Sequence, residues 1–345
     1  MGAVSGGCGK VISPPHKITD VWSVTPEDIF SSARKRVRIH ERYMARGIEE
    51  QRRRNRRTTS DLPDYSKVSP PEWDWNPDFN PYVVRRRASQ IAYSISPKIM
   101  SGTYETRPPA LHRVAKKDGS YRDASCFSIP DEAVSRKLYR SLISKNTALF
   151  SGNSFAYRPN LVSFDAIQQI RSRWNQENRI YVGEFDFRRY FDNISHSYLL
   201  DLFNTLGVYR TRQEDHLVRQ FLQARLPTDP LSTKPGAIRK KGIPQGTSIS
   251  LFLANVALTP VDREFDRLGV NFVRYADDTL IWSRNYQDAV DALAVLHDWS
   301  RESCVKINFE KSEGIRILRV SDLERTEFRS TRTVHFLGHD LLLDR

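Results

Sequence analysis

The chain has 345 residues, enough to bury a full core in one large domain or two modest ones. Its 39% hydrophobic and 28% charged content fits a soluble globular protein with a polar extension, and no apolar run approaches the ~18 residues of a membrane span. The formal net charge of +13 calls for a polyanionic partner, nucleic acid ahead of membrane. Cys8, Cys126 and Cys304 are odd in number, far apart and in no metal-ligand spacing, which excludes a disulfide framework and implies a reducing compartment. Met1 to Lys10 has no hydrophobic signal region, so the expected location is cytoplasmic.

Residues up to about Thr25 are rich in Gly, Ser and Pro. Thr25-Pro26-Glu27-Asp28 then predicts a helix start, with a capping hydroxyl, proline in the first turn and an acid three places on. That helix carries eleven basic residues between 34 and 57 against three acids, Glu41, Glu49 and Glu50. Arginine pairs with phosphate through two parallel donors, so a structured RNA or DNA contact is the sharper reading, beside a tail or a nuclear address. Ser60 to Pro81 reads as a loop whose Trp73, Trp75 and Phe79 staple it to the core. Residues 1–82 are thus expected to form a basic, partly helical extension, and 83–345 a compact domain.

Leu111 to Ile129 predicts two short strands around the turn Lys117-Asp118-Gly119-Ser120, so Lys116, Lys117 and Arg122 flank a hairpin suited to gripping a triphosphate. Residues 131–149 and 163–176 read as amphipathic helices, the second capped by Ser163 with Phe164, Ile167, Ile170 and Trp174 on one face. An apolar strand from Arg179 delivers Asp186 at its end, and Asp192 is expected to cap a helix from about Ser195. Gly236 to Gly242 is a basic loop leading into Pro244-Gln245-Gly246, a turn that exposes Gln245 and opens a helix at Ser248.

Val273 to Trp282 reads as strand, tight turn, strand, with Asp277 and Asp278 at the tip. Adjacent strand side chains point to opposite faces, so both acids serve one point only if the turn redirects one of them. Close carboxylates call for a cation, and Mg²⁺ takes one or two carboxylates plus substrate phosphates. A helix from Asp288 to about Ser303, the stretch Lys306 to Lys311 and a short strand Val334-His335-Phe336-Leu337-Gly338 complete the chain.

From about Arg107 onward these pieces resemble the reverse transcriptases. The basic fingers hairpin, the Asp-x₄-Phe strand end, the Pro-Gln-Gly turn, the Tyr-Ala-Asp-Asp hairpin, Asn-Phe-Glu-Lys and Phe-Leu-Gly occur in the family's order. The resemblance implies an α+β right-hand polymerase with fingers and an antiparallel palm sheet, the palm core lying at about 179–210 and 242–345. With only seven residues after Gly338, the helical thumb is expected to be absent or truncated, its role falling to a second subunit, a homo-oligomer or the extension. It further implies an RNA-directed DNA polymerase in which Asp186, Asp277 and Asp278 hold two Mg²⁺ ions, with Mn²⁺ able to substitute. Phe191 would be the steric gate against a ribose 2′-hydroxyl, and Gln245 would line the nucleotide pocket. Lys116 or Lys117, with Arg122, would contact the triphosphate; Lys311 would protonate pyrophosphate; Phe336-Leu337-Gly338 would form the primer grip. The implied partners are dNTPs, a DNA product and an RNA template, expected to be a structured non-coding RNA. Tyr190-Phe191-Asp192 is similar to turns of the bacterial branch. The Asn-Ala-x-x-His stretch of retrons is missing, so the defence-associated, abortive-infection groups are expected ahead of a retron or group II-like enzyme. An RNA-binding scaffold is the alternative from another class.

Overall fold

The computed structural model describes residues 22–57, 69–115, 119, 121–229, 234–310, 312–320 and 328–343. Helix α1, Pro26–Asn55, begins with the expected capping box: the Thr25 hydroxyl accepts from the Asp28 N–H, and the Asp28 carboxylate accepts from the Thr25 N–H at 2.8 Å. Its first half is not a free extension. Ile29, Ala33 and Val37 are buried, Lys137 bonds Asp28 at 2.8 Å, and Arg36 bonds Glu132 at 2.9 Å. Trp22, Val24, Ile29 and Ala33 belong to the same apolar cluster as Val84, Leu138, Phe252 and Leu296, so that cluster has no break at residue 82. Helix α2, Glu72–Trp75, carries the expected staple: the Trp73 ring lies tilted 4.7 Å from that of His40 of α1, and Trp75 lies 5.3 Å from buried Phe79. Helices α3, Pro81–Arg86, and α4, Ala88–Ser101, then pack against α1.

Strands β1, Ala110–Ala115, and β2, Tyr121–Cys126, form the predicted antiparallel hairpin. Helix α5, Ile129–Lys145, is followed by α6, Ser163–Trp174. Here the structure corrects two expectations. Ser163 lies inside α6, whose start is closed by Asp165 accepting from the Val162 N–H at 2.7 Å, and Phe164 is 53% exposed. Ala166, Ile167, Ile170 and Trp174 are the buried face, because a four-residue step from Ala166 reaches Ile170 and Trp174 on one side of the cylinder.

The remaining elements build the palm: β3, Arg179–Phe185; α7, Tyr190–Asn193; α8, His196–Thr205; α9, Arg212–Leu222; α10, Ser248–Leu268; β4, Asn271–Tyr275; β5, Asp278–Ser283; α11, Tyr286–Ser303; β6, Gly314–Arg319; β7, Ser330–Thr331; and the hairpin of β8, Val334–Phe336, with β9, His339–Leu341. One sheet has the order β4-β5-β3-β6-β7, antiparallel except for the last pair. The two-residue side-chain period sorts its faces. Ile180, Val182, Val273, Leu280 and Trp282 point toward α6 and the β8–β9 hairpin; Phe185, Phe272 and Ile281 point toward α10 and α11. Fingers and palm thus share the larger of two apolar clusters, and the sheet lies between it and the smaller one, the α+β arrangement that the resemblance implies.

Candidate active site

Asp186 follows the last residue of β3 and Asp278 opens β5. In the β3–β5 register Phe185 faces Thr279, so the next pair along is Asp186 with Asp278. Directly opposed residues of an antiparallel pair project to the same face. Both carboxylates accordingly line one open cavity of about 340 Å³, together with Glu184 and the hairpin residues His335, Phe336, Leu337 and Gly338. The wall opposite the acids is itself strained: Leu337 and Gly338 form a two-residue loop with φ of +51° and +81°, the left-handed pair that short hairpins require and that costs a leucine energy. Burial pushes the Glu184 carboxyl up, against the pull of the neighbouring Arg316.

Asp277 sits in the two-residue turn between β4 and β5. It is absent from the cavity lining, and its charge is felt by buried Tyr190 and Arg274. Among the described residues no three His, Cys, Asp or Glu side chains are grouped to hold a metal. The structure thus places Asp186 and Asp278 on one cavity wall, with Asp277 in the adjoining turn. Two hard oxygen donors on an open cavity still fit Mg²⁺, which keeps few protein ligands and completes its shell with phosphate and water.

Asp186 is held by a segment 122 or more residues away. The backbone N–H of Asn308 donates to the Asp186 carbonyl at 2.8 Å, its side-chain amide donates to Asp186 Oδ2 at 2.9 Å, and the Asp186 N–H donates to Ser312 Oγ at 3.2 Å. The Asn-Phe-Glu-Lys stretch thus works partly as a clamp on Asp186. A local reading has no signal for Asn308 in this role, since its partner lies on another element.

The aspartate turn has its own support on the opposite face. Ala276 sits at φ +61°, a conformation that disfavours a Cβ. Arg274, 0% exposed, donates to Asp262 Oδ1 at 2.7 Å, Asp262 Oδ2 at 2.5 Å, Asn255 Oδ1 at 3.1 Å and the Ala276 carbonyl at 2.8 Å. Burial works against the Arg274 charge, and Asp262 outweighs it, so the guanidinium stays protonated. The signal available in sequence was a lone cation inside an otherwise apolar strand, where only a partner makes burial tolerable.

Phe191 lies half-buried in α7 and meets the Tyr190 ring edge-on at 5.7 Å between centroids. The Pro-Gln-Gly turn is stitched to it: the Ile243 N–H donates to the Phe191 carbonyl at 2.6 Å and the Gly242 N–H to the Ile194 carbonyl at 2.8 Å. A Cβ on Gly242 would lie 2.6 Å from the Asp192 carbonyl oxygen, so this backbone approach requires glycine. Gln245 donates its amide to Asp192 at 3.1 Å, which replaces the expected capping role of Asp192; Ser195 caps α8 instead. The Ser125 N–H donates to the Gln245 carbonyl at 2.9 Å and ties the fingers hairpin to the same turn. Gln245 is thus bonded to Asp192, the residue that follows Phe191 in the chain. Lys116, Lys117 and Lys311, with the Arg122 side chain, lie outside the described residues.

A family model described as reverse transcriptase (RNA-dependent DNA polymerase) matches residues 114–341, well over half of the chain. Among solved structures, the chain is similar to telomerase from Candida tropicalis in complex with a TWJ fragment of telomeric RNA, with 14% identity and a TM-score of 0.50 over 74% of this chain and 47% of that one. It is similar to apo telomerase from Candida tropicalis truncated from its C-terminal domain, with 14% identity and a TM-score of 0.49 over 68% and 53% of the two chains. The third is the RNA-dependent RNA polymerase of a human picobirnavirus with an insertion-loop deletion, at 15% identity and a TM-score of 0.41 over 59% and 41%. No curated protein sequence matches the chain. It spans about half the length of the telomerase structures, and at such identities the likeness concerns the fold. With six motifs in order, a fingers-and-palm fold and the family match over 114–341, the chain belongs to the reverse transcriptase (RNA-dependent DNA polymerase) family.

Proposed function

We propose that this chain is an RNA-directed DNA polymerase that adds deoxynucleotides to a primer 3′-hydroxyl. The observation that carries the reading is the placement of Asp186 opposite Asp278 on the wall of one cavity, with Gln245 bonded to Asp192, next to Phe191, on the same palm. Asp186 and Asp278, with Asp277 at the turn, are the residues to hold Mg²⁺, or Mn²⁺ in its place. Bound there, such ions would supply activation of the primer hydroxyl and stabilisation of the pyrophosphate leaving group. Asn308 and Ser312 orient Asp186, Arg274 sets the turn that carries Asp277, and the Leu337–Gly338 loop closes the cavity wall against the primer end. The Phe191 ring crowds a ribose 2′-hydroxyl, while Asp192 fixes the amide of Gln245 toward the sugar and base.

The template in this proposal is a structured non-coding RNA, supported by the basic stretch from Arg34 to Arg57. The setting is cytoplasmic antiviral defence, supported by the resemblance of Tyr190-Phe191-Asp192 to the bacterial branch. The test is label incorporation by the purified full chain with its co-purifying nucleic acid, Mg²⁺ and either dNTPs or NTPs. Incorporation of dNTPs alone, abolished in Asp277→Ala/Asp278→Ala, supports the reading, and the product sequence names the template. RNA binding without synthesis under both conditions would favour a scaffold. Phe191→Ala should let NTPs compete; unchanged sugar selectivity would remove the gate assignment.

A further inference from the structure

Among the described residues, the side chain of buried Arg239 has no hydrogen-bond partner. Arg239 is 9% exposed, its Nε is sealed from solvent without an acceptor, and it makes no ion pair. Buried donors are nearly always satisfied, and a charged one left bare costs more than a neutral one. Burial lowers the Arg239 pKa, only partly offset by the Asp192 charge nearby.

The backbone that carries it is rigid. The Arg239 N–H donates to the Ala224 carbonyl at 3.3 Å, Ile238 bridges Arg225, and three residues on the Gly242 N–H is fixed to Ile194. His196, whose Nε2 lies 2.8 Å from the Gly242 carbonyl, also feels the Arg239 charge. Asp192, the carboxylate whose charge acts on Arg239, already accepts from Gln245. Lys240 and Lys241 are exposed on the same loop, so the surroundings favour an incoming anion over an approaching cation.

We propose that Arg239 is a phosphate-binding residue, its guanidinium held ready beside the Gln245–Asp192 pair for a phosphate oxygen of a bound strand or of the incoming nucleotide. The fork of guanidinium donors matches that ligand. Phosphate supplies the acceptor that the fold withholds. The proposal rests on the polymerase reading only for the source of the phosphate.

The first arm needs no synthesis. Inorganic triphosphate should raise the melting temperature of the wild-type full chain, and Arg239→Gln should lose that increment while Arg239→Lys keeps part of it. The second arm is the Kd of a labelled RNA–DNA primer–template across a salt series. If the phosphate is a strand's, Arg239→Gln weakens binding roughly tenfold to a hundredfold and lowers the log–log salt slope by about 1. The third arm is the KM for dNTP, which rises by a similar factor, with the salt slope unchanged, if the phosphate is the nucleotide's. A change in any arm supports the site, and the arm that changes names the source. Wild-type values in all three, or a lowered melting temperature alone, overturn it and show Arg239 as a packing residue only. Failure of synthesis in every variant, wild type included, would count against the polymerase reading and leaves the first two arms as readouts.

Discussion

Arginine does opposite work in the palm and along α1. Arg274 is wholly buried with four hydrogen bonds, and its charge shapes the backbone that carries Asp277. Arg38, Arg42 and Arg46 are exposed, one helical turn apart on the face of α1 turned from the core. Within α1 itself the division repeats: Arg36 is bonded to Glu132, whereas Arg38, Arg42 and Arg46 face solvent. Position relative to the core decides which charges hold the fold and which are kept for a partner, and residue type alone does not.

The comparison breaks most visibly at Arg274. Arg274→Met leaves Asp262 buried without its cation, which should cost about 3–5 kcal/mol of stability. The double variant Arg274→Met/Asp262→Leu should recover most of that, since an apolar pair replaces an ion pair at little cost. Primer extension should stay low in both, because the Ala276 carbonyl has lost its donor and the strained turn its support. Thermal melts and single-turnover rates on the three proteins check this; full activity in the double variant would show that Arg274 serves stability alone.

Asn308 tests the same idea on the other face. Asn308→Ala removes the amide donor to Asp186 Oδ2 and should lower kcat about tenfold to a hundredfold while raising the Mg²⁺ concentration for half-maximal rate. The stability cost should be about 1.5–3 kcal/mol, one donor to a partly buried carboxylate. A normal Mg²⁺ curve with a lowered melting temperature would reduce Asn308 to packing.

The exposed arginines should behave in the reverse way. Arg38→Gln/Arg42→Gln/Arg46→Gln should barely move the melting temperature, surface changes being worth within about 0.5 kcal/mol each. Affinity for RNA should fall, and the log–log salt slope should lose roughly 2–3 units, about 0.7–0.9 per phosphate contact. A filter-binding salt series reads it. An unchanged slope would mean that this face does not meet the RNA.

These contrasts explain what was legible in the sequence. The strand ending at Asp186, the Tyr-Ala-Asp-Asp hairpin and the Pro-Gln-Gly turn are local patterns, and the local physics of alternation and turn residues suffices to place them. The Asn308–Asp186 clamp and the Arg274–Asp262–Asn255 network join elements distant in the chain, and no local period encodes which distant acceptor a side chain meets. Asp192 shows the limit from the other direction. Its spacing before Ser195 suits a cap, yet the close backbone approach at Gly242 brings Gln245 to it first. The inner half of α1 was hidden for a similar reason: a run dense in arginine reads as an extension until Glu132 and Lys137 of α5 are seen to pair with it.

The smallest effect concerns His196, half-buried where α8 meets the Pro-Gln-Gly turn. Burial lowers its pKa below the ordinary 6.5, outweighing the bond to Gly242 and helped by the Arg239 charge. A carbonyl only accepts, so the neutral ring donates its Nε2 proton to Gly242 at 2.8 Å. The folded state therefore binds this proton less readily than the unfolded chain. The stabilisation is complete above pH 6.5 and is lost as pH falls through the lower folded value. The difference in melting temperature between His196→Gln and the wild type should accordingly narrow from pH 7.5 to pH 5.5, by no more than about 2 °C for a chain of this size. A gap that stays constant with pH would assign His196 a hydrogen bond without a linked protonation, and would place the pH sensitivity of this turn on another group.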